Sequence, residues 1–133
     1  MTCFITACHL LGDPVDLDYQ AKVNIINNEI CVTVAAYPEE EVSFIFIEEA
    51  GNHSNKLFTP FDNTKVHYRP LQNQCISNKD FNFENEKTYH YTVMLITSDD
   101  KFRRFSTSFS LSEIEGNRMI TYRKPAIKYR ISQ

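Results

Sequence analysis

A regular alternation of apolar and polar side chains near the middle of the chain constrains the fold more than any other feature. Between residues 89 and 95 every second position is apolar: Tyr89, Tyr91, Val93 and Leu95. After a turn at Ser98-Asp99-Asp100, the segment KFRRFSTSFSL alternates again, with Phe105, Thr107, Phe109 and Leu111 on one face. Successive side chains of a β-strand point to opposite faces, so this period predicts two strands, each with one buried face. The short turn between them predicts a β-hairpin.

The same period recurs earlier in the chain. AKVNIINNEICVTV contains two alternating runs around Asn27-Asn28, which predicts another hairpin. In VSFIFI, alternation puts Val42, Phe44 and Phe46 on one face and Ile45 and Ile47 on the other, as expected for a central strand covered on both sides. The stretch that contains Pro60 and Pro70 is expected to supply edge strands, because proline lacks an N–H donor.

Chain length and composition agree with one folded domain. The 133 residues are 42% hydrophobic and 13% aromatic, which is enough for one core, and the chain is too short for two. Aromatic and β-branched residues favour strands over helices. About seven short strands separated by turn signals predict an all-β fold, an antiparallel seven-stranded β-sandwich.

The cysteines and the first residues lead us to expect an intracellular protein in the cytoplasm or nucleus. Cys3, Cys8, Cys31 and Cys75 show no regular spacing, and a chain with a full core does not need disulfides, so we expect reduced thiols. The segment TCFITACHLL lacks the positively charged start of an export signal. No apolar run approaches the roughly 18 residues of a membrane span. Asn52-His53-Ser54 matches the N-glycosylation pattern, which matters only in a secreted chain.

The residues that could carry chemistry do not form a recognisable motif. Cys3, Cys8 and His9 could supply three zinc ligands, but their spacing is not that of a standard zinc knuckle. His90 is expected at the solvent-facing side of its strand. The segment DPVDLD lacks the glycine and bidentate glutamate of an EF-hand loop, so calcium is not expected. We therefore expect no metal, no cofactor and no enzymatic activity.

The segment FENEKTYHYTVML resembles the region between strands E and F of fibronectin type III domains. In that family a leucine lies six residues before a tyrosine. The hydroxyl of this tyrosine bonds back to the loop, and the arrangement is called the tyrosine corner. The matching positions here are Phe83, Tyr89, Tyr91, Val93 and Leu95. The tryptophan usual near strand B is absent, and Asn85 replaces the usual proline, so an immunoglobulin-like or transthyretin-like sandwich stays open. The resemblance implies an N-terminal extension (1–18), a sandwich (19–112) and a basic C-terminal extension (113–133).

Charge is unevenly distributed along the chain. Residues 1–50 carry nine acidic residues and one basic residue, whereas residues 101–133 carry two acidic and eight basic residues. The two regions could recruit different partners or neutralise each other, and we give more weight to neutralisation.

The expected function is a non-enzymatic interaction module that recruits a protein partner through strand edges, loops or a charged surface. The acidic loop of Glu39, Glu40 and Glu41 is one candidate surface. The residues expected to contact the partner are Lys101, Arg103, Arg104, Arg118, Tyr122, Arg123, Lys124, Lys128 and Arg130.

The C-terminal sequence GNRMITYRKPAIKYRISQ supports an alternative function. Its cations alternate with Tyr122 and Tyr129, and such a pattern can bind single-stranded nucleic acid. The preferred interpretation is that its apolar residues extend or wrap the sandwich while the cations face water. Nucleic acid is thus the alternative partner. The two-sided apolar strand VSFIFI could also be buried by self-association of the chain.

Overall fold

Eight β-strands make up the regular structure of the chain. The computed structural model describes residues 18–61 and 67–122, which contain no helix. The strands are β1 (Tyr19–Gln20), β2 (Lys22–Ile26), β3 (Glu29–Thr33), β4 (Glu41–Glu49), β5 (Asn52–Pro60), β6 (Thr88–Ile96), β7 (Phe102–Ile114) and β8 (Asn117–Tyr122). The all-β prediction is confirmed. These residues form eight strands where about seven were expected, and β1 pairs with β7 in a parallel manner, so the sheet is not purely antiparallel as predicted.

The strands are divided between a large sheet and a hairpin. Six strands form one sheet in the order β1-β7-β6-β4-β5, with β8 also paired to β7, and β2 and β3 form a separate pair. The two share one core, which contains Val23 and Val32 from the hairpin and Ile45, Val93 and Phe105 from the sheet. This is a sandwich-like arrangement of two layers, in which the large sheet has one face on the core and one outer face.

The β2–β3 hairpin forms where the sequence predicted it. Its turn residues, Asn27 and Asn28, have φ angles of 53° and 64°, and asparagine tolerates this left-handed region better than most residues. Val23 pairs with Val32 across the hairpin, and both are buried. The predicted alternation therefore places the apolar side of this hairpin on the core.

The β6–β7 hairpin is also confirmed. The alternating apolar side chains of both strands are buried: Tyr89, Tyr91, Val93 and Leu95 on β6, and Phe105, Phe109 and Leu111 on β7. Thr107 is buried with them. The turn is closed by a hydrogen bond from the Thr97 N–H to the Lys101 carbonyl oxygen (3.0 Å).

The loop before β6 is held by the side chain of Tyr89. The Tyr89 hydroxyl accepts a hydrogen bond from the backbone N–H of Glu84 at 2.7 Å. The rings of Phe83 and Tyr89 pack edge to face, with centroids 5.0 Å apart. The predicted hydrogen bond between this hydroxyl and the preceding loop is therefore present, and it gives the N–H of Glu84 an acceptor that the loop itself does not supply.

The prediction of which side chains of β4 share a face is wrong for Val42, the first apolar residue of the strand. Val42 lies on the core side with Ile45 and Ile47, whereas Phe44 and Phe46 lie on the outer face and are half-buried. The pairing of β4 with β6 shifts register between Val42 and Phe44. A β-bulge adds one residue to one strand, so the side chains before the bulge point to the opposite face from the one that simple alternation predicts. The two phenylalanines are thus left on the outer face without Val42.

Two of the four cysteines form a disulfide, so the expectation of reduced thiols is wrong for this pair. Cys31 of β3 is bonded to Cys75, 44 residues later. Next to it, the backbone N–H of Ile76 donates to the carbonyl oxygen of Val32 at 2.7 Å. The disulfide and this hydrogen bond tie the irregular segment 67–84 along the side of β3. Cys3 and Cys8, with the candidate metal ligand His9, lie outside the described residues.

The sheet continues past the predicted end of the sandwich at residue 112. β7 reaches Ile114, and β8 then pairs with it in an antiparallel manner after a turn in which Gly116 has a φ of 85°. Residues 113–122 therefore belong to the sheet. On the opposite side, β5 forms the edge and ends at Pro60, which agrees with the edge position expected for this proline.

Candidate partner-binding surface

The outer face of the large sheet carries a band of apolar side chains across four strands. The pairing places Phe46 beside Phe58 on β5, and Phe44 between Pro60 of β5 and Met94 of β6. Ile96 of β6 lies beside Phe102 of β7. We call this band the apolar half of the outer face; its members are Phe44, Phe46, Phe58, Pro60, Met94, Ile96 and Phe102.

Two phenylalanines of the apolar half are more exposed than a side chain of this type usually is. Phe58 is 56% exposed and Phe102 is 57% exposed. Phe44 packs on Phe58, with ring centroids 5.2 Å apart, so the aromatic surface is continuous between β4 and β5. Grouped apolar side chains on a surface commonly mark a site for binding another molecule, whereas isolated ones do not.

The other half of the outer face is polar and internally bonded. Here the register brings Glu48 of β4 beside Lys56 and His90. The Nδ1 atom of His90 lies 2.6 Å from the Ser108 hydroxyl, so the predicted solvent-facing position of His90 is confirmed. Because these polar groups bond to one another or face water, this half offers little free energy for binding another protein.

Arg103, one of the predicted contact residues, is enclosed within the fold. Only 13% of its side chain is exposed. Its Nε and Nη2 atoms donate to the two carboxylate oxygens of Glu40 at 2.7 and 2.6 Å, and Nη2 also donates to the Ala35 carbonyl oxygen. The guanidinium stacks on Tyr37, 4.1 Å from its ring centroid. The hydrogen bonds with Glu40 raise the pKa of Arg103 even though burial opposes them, so these contacts fix the loop before β4 to β7.

Two other predicted cations remain near the surface. Arg104 points to the outer face beside Met94, and its Nε donates to Asp18 Oδ1 at 2.5 Å while its side chain stays 49% exposed. The side chain of Lys101, at the β6–β7 turn, is 80% exposed, and its Nζ atom lies 3.7 Å from Oδ2 of Asp99. Lys101 directly precedes Phe102 and Arg104 follows it by two residues, so both cations lie at the rim of the apolar half.

Arg118 and Tyr122 on β8 contact other segments of the chain. Arg118 Nη2 donates to the carbonyl oxygen of Phe83 at 2.8 Å. The hydroxyl of Tyr122 donates to the carbonyl oxygen of Val23 at 2.7 Å and so links β8 to the hairpin. The remaining predicted contact residues, Arg123, Lys124, Lys128 and Arg130, lie outside the described residues.

The predicted acidic surface is also partly enclosed. Glu40 is buried by Arg103, and its Oε1 also accepts the backbone N–H of Tyr37 at 2.7 Å. Glu41 is mostly buried and pairs with Arg69 at 3.2 Å and with His67 at 3.0 Å. Two of the three glutamates thus neutralise cations of the same chain, and they offer little free negative charge to a partner.

A groove of about 810 Å³ lies between the β2–β3 turn, residues 75–83 and β8. Its lining includes Glu29, Lys79, Asp80 and Arg118. Within residues 18–61 and 67–122, no group of three or more histidine, cysteine, aspartate or glutamate side chains could hold a metal ion. The same residues contain no helix that is long and apolar enough to cross a membrane.

The apolar half was not predicted from the sequence, although two of its phenylalanines were expected on one face of a strand. Phe44 and Phe46 were recognised as one face of a strand, but their outer location follows from the bulge and the strand order. Phe58 and Phe102 stand next to turns or prolines in sequence and become neighbours of this face only through the pairing of β5 and β7.

One comparison with known proteins gave a match. A family model described as a domain of unknown function, DUF7480, matches residues 18–114. Neither a curated protein sequence nor a solved structure matches the chain. The matched region begins one residue before β1 and ends with the last residue of β7.

Proposed function

The chain belongs to the DUF7480 family, a domain of unknown function, and we propose that it is a non-enzymatic module that binds a protein partner on the apolar half of its outer face. The exposure of Phe58 and Phe102 at the ends of a continuous apolar band carries this proposal. Burying one phenylalanine side chain is worth roughly 1.5–3 kcal/mol. A partner that covered both would gain enough to act as an anchor for the complex.

We further propose that the two layers form a fibronectin type III-like sandwich. The order β5-β4-β6-β7 in the large sheet agrees with the order C′-C-F-G of such domains. The hairpin, with residue 76 bonded to β3, would supply strands A, B and E of the other sheet. The hydrogen bond from Glu84 to Tyr89 supports the same assignment, because it has the geometry of a tyrosine corner.

The chemistry of the surface indicates which partner fits. The centre requires an apolar patch on the partner, with aromatic or aliphatic side chains that pack on Phe58 and Phe102. Lys101 and Arg104 at the rim favour acidic residues around that patch, and rim charges act mainly on association rate and specificity. The open edge of β5 could also accept an added strand, as edge strands do in other binding modules.

The proposal is tested by affinity capture with three forms of the full chain. Three forms are immobilised at equal density and exposed to the same cell extract. They are the wild type, a Phe58→Ser/Phe102→Ser double variant and a Lys56→Ser control. Lys56 is exposed on the same strand as Phe58 but in the polar half, so it controls for surface changes in general. We expect a protein that the wild type and the control retain and the double variant loses. Equal retention by all three forms would contradict the proposal.

The same variants show whether the partner is a second copy of this chain. Light scattering over a concentration series measures the mass of the wild type in solution. If the mass of the wild type rises with concentration and that of the double variant stays at the monomer value, the apolar half is a self-association surface. If both stay monomeric, the partner is a different protein. Equal self-association of all three forms would mean that another surface is used.

A further inference from the structure

We propose that Asn52 carries an N-linked glycan and that the chain folds in an oxidising, secretory compartment. The inference departs from the intracellular location expected from the sequence, and it is independent of the proposed function. It rests on two separate observations, the disulfide and the geometry of residues 52–54.

The first observation is the bond between Cys31 and Cys75. Cys31 is only 2% exposed, whereas Cys75 is exposed, so the bond links the buried strand β3 to the segment 67–84 on the surface. Disulfides of this structural kind persist in secreted proteins and are rare in the cytosol, where thiols are kept reduced. A chain with such a bond is expected to fold in an oxidising compartment, which in eukaryotic cells is the endoplasmic reticulum, where asparagine glycosylation also takes place.

The second observation is the presentation of Asn52-His53-Ser54, which begins β5 immediately after the β4–β5 turn. All three residues are exposed, and His53 is not a proline, which would prevent modification. The Ser54 hydroxyl donates to Asn52 Oδ1 at 2.7 Å, and the Ser54 N–H donates to the same oxygen at 3.3 Å. Within the described residues Asn52 Nδ2 makes no hydrogen bond, so the nitrogen that would be modified is free.

The proposed reaction is transfer of a glycosyl group from a polyprenyl-diphosphate-linked oligosaccharide. Asn52 Nδ2 attacks the anomeric carbon of the first sugar, and a carbon–nitrogen bond forms. The bond between that carbon and the diphosphate oxygen breaks, and its electron pair leaves with the polyprenyl diphosphate. One proton of Nδ2 passes to a basic group of the transferase, so no oxidant or reductant is required.

The position of Asn52 would direct where other proteins can approach. The register places Asn52 beside Glu49 and Phe58 beside Phe46, so the two positions are three residues apart along β4, which corresponds to roughly 10 Å at about 3.3 Å per residue. A glycan at Asn52 would cover the start of the open sheet edge and hinder pairing with another strand there.

The direct test uses the protein isolated from the cells that produce it. Peptide mapping by mass spectrometry is performed before and after treatment with peptide:N-glycosidase F, which releases the glycan and converts the modified asparagine to aspartate. We expect residue 52 to be read as aspartate only after treatment. An unmodified Asn52 in this native material would overturn the inference, as would free thiols at Cys31 and Cys75 detected by alkylation without reduction.

A variant series tests whether residues 52–54 are the modified site. The full chain is expressed behind a cleavable export leader in eukaryotic cells, as wild type, Asn52→Gln, Ser54→Ala and Ser54→Thr. The wild type and Ser54→Thr should migrate with a mass increase that the glycosidase removes, and Asn52→Gln and Ser54→Ala should lack it. Secreted wild type with the disulfide formed and no mass increase would contradict the inference.

Discussion

Single side chains from distant parts of the sequence fix the loops of this domain. Tyr89 reaches back to Glu84, Tyr122 reaches Val23, and Arg103 reaches Glu40, 63 residues earlier in the chain. Each of these contacts satisfies a polar group that would otherwise be buried or unpaired at the end of a strand. Because an unpaired buried polar group costs about 1–3 kcal/mol, the loss of one partner should be measurable at the level of the whole domain.

Removal of the Tyr89 hydroxyl should destabilise the domain. In Tyr89→Phe the ring packing is kept and the N–H of Glu84 loses its acceptor, so we expect the free energy of unfolding to fall by about 1 kcal/mol or more. Urea denaturation gives this value. Tyr37→Phe is the control, because its hydroxyl makes no hydrogen bond within the described residues, and it should be nearly neutral. Equal stability of Tyr89→Phe and wild type would show that the corner bond has no energetic role.

The two neighbouring arginines of β7 should differ strongly in their effect on stability. Arg103→Met would leave the buried carboxylate of Glu40 without its cation, and we expect a loss of about 3 kcal/mol or more. In Arg104→Met the carboxylate of Asp18 keeps its hydrogen bond from the Ser106 hydroxyl, and the cation that is removed is half-exposed, so we expect a smaller loss than in Arg103→Met. Chemical denaturation of both variants checks the difference. Similar losses for the two would mean that the enclosure of Arg103 does not stabilise the fold.

The domain should lose stability at alkaline pH through Tyr91. Burial raises the pKa of Tyr91 above its ordinary value, with a smaller contribution from Tyr68, and its hydroxyl donates to Asn78. In the unfolded chain the group ionises near pH 10, so above that pH the unfolded state loses a proton that the folded state keeps. The stabilisation is complete below about pH 9 and declines as the pH rises further. Urea unfolding at pH 8 and near pH 10.5 should show a smaller decline in Tyr91→Phe than in wild type; equal declines would contradict this assignment.

At the scale of elements, the strands that can be predicted best from the sequence are those whose two faces differ most in polarity. β6 and β7 have one buried and one outer face, so their alternation identifies both strands and their core residues. The facing of Val42 could not be predicted, because the bulge depends on how β4 pairs with β6. The partner of Cys31 was equally hidden, since it is set by the packing of segment 67–84 on β3. The burial of Arg103 follows from Glu40, which sequence spacing does not connect with it.

The Cys31–Cys75 bond should contribute strongly to stability because it closes a long loop. For a loop of 44 residues, the chain-entropy model gives a stabilisation of about 4 kcal/mol, and measured effects are often lower. We expect Cys31→Ala/Cys75→Ala to lose about 2–4 kcal/mol in denaturant unfolding. Reducing agent should lower the stability of the wild type and leave that of the double variant unchanged. A wild type indifferent to reduction would show that the bond is absent or does not constrain the unfolded chain.

At the scale of the whole molecule, the uneven charge along the sequence is partly neutralised inside the fold. Asp18 and Glu40 from the acidic N-terminal region pair with Arg104 and Arg103 from the basic C-terminal region. Since these charges are used within the chain, the surface left for a partner is distinguished by its apolar side chains instead. The outer face thus has an apolar half, on which we propose that the partner binds, and a polar half, and Asn52 lies at the start of β5.

The affinity for the captured partner tests the central claim most directly. Equilibrium titration, for example by calorimetry, should be performed with the wild type, Phe58→Ser/Phe102→Ser and the Lys56→Ser control, after thermal unfolding has shown that all three are folded. If the apolar half is the docking surface, the dissociation constant of the double variant rises by about tenfold or more, equivalent to about 1.4 kcal/mol, and that of the control stays at the wild-type value. A double variant that binds as tightly as the wild type would contradict the account.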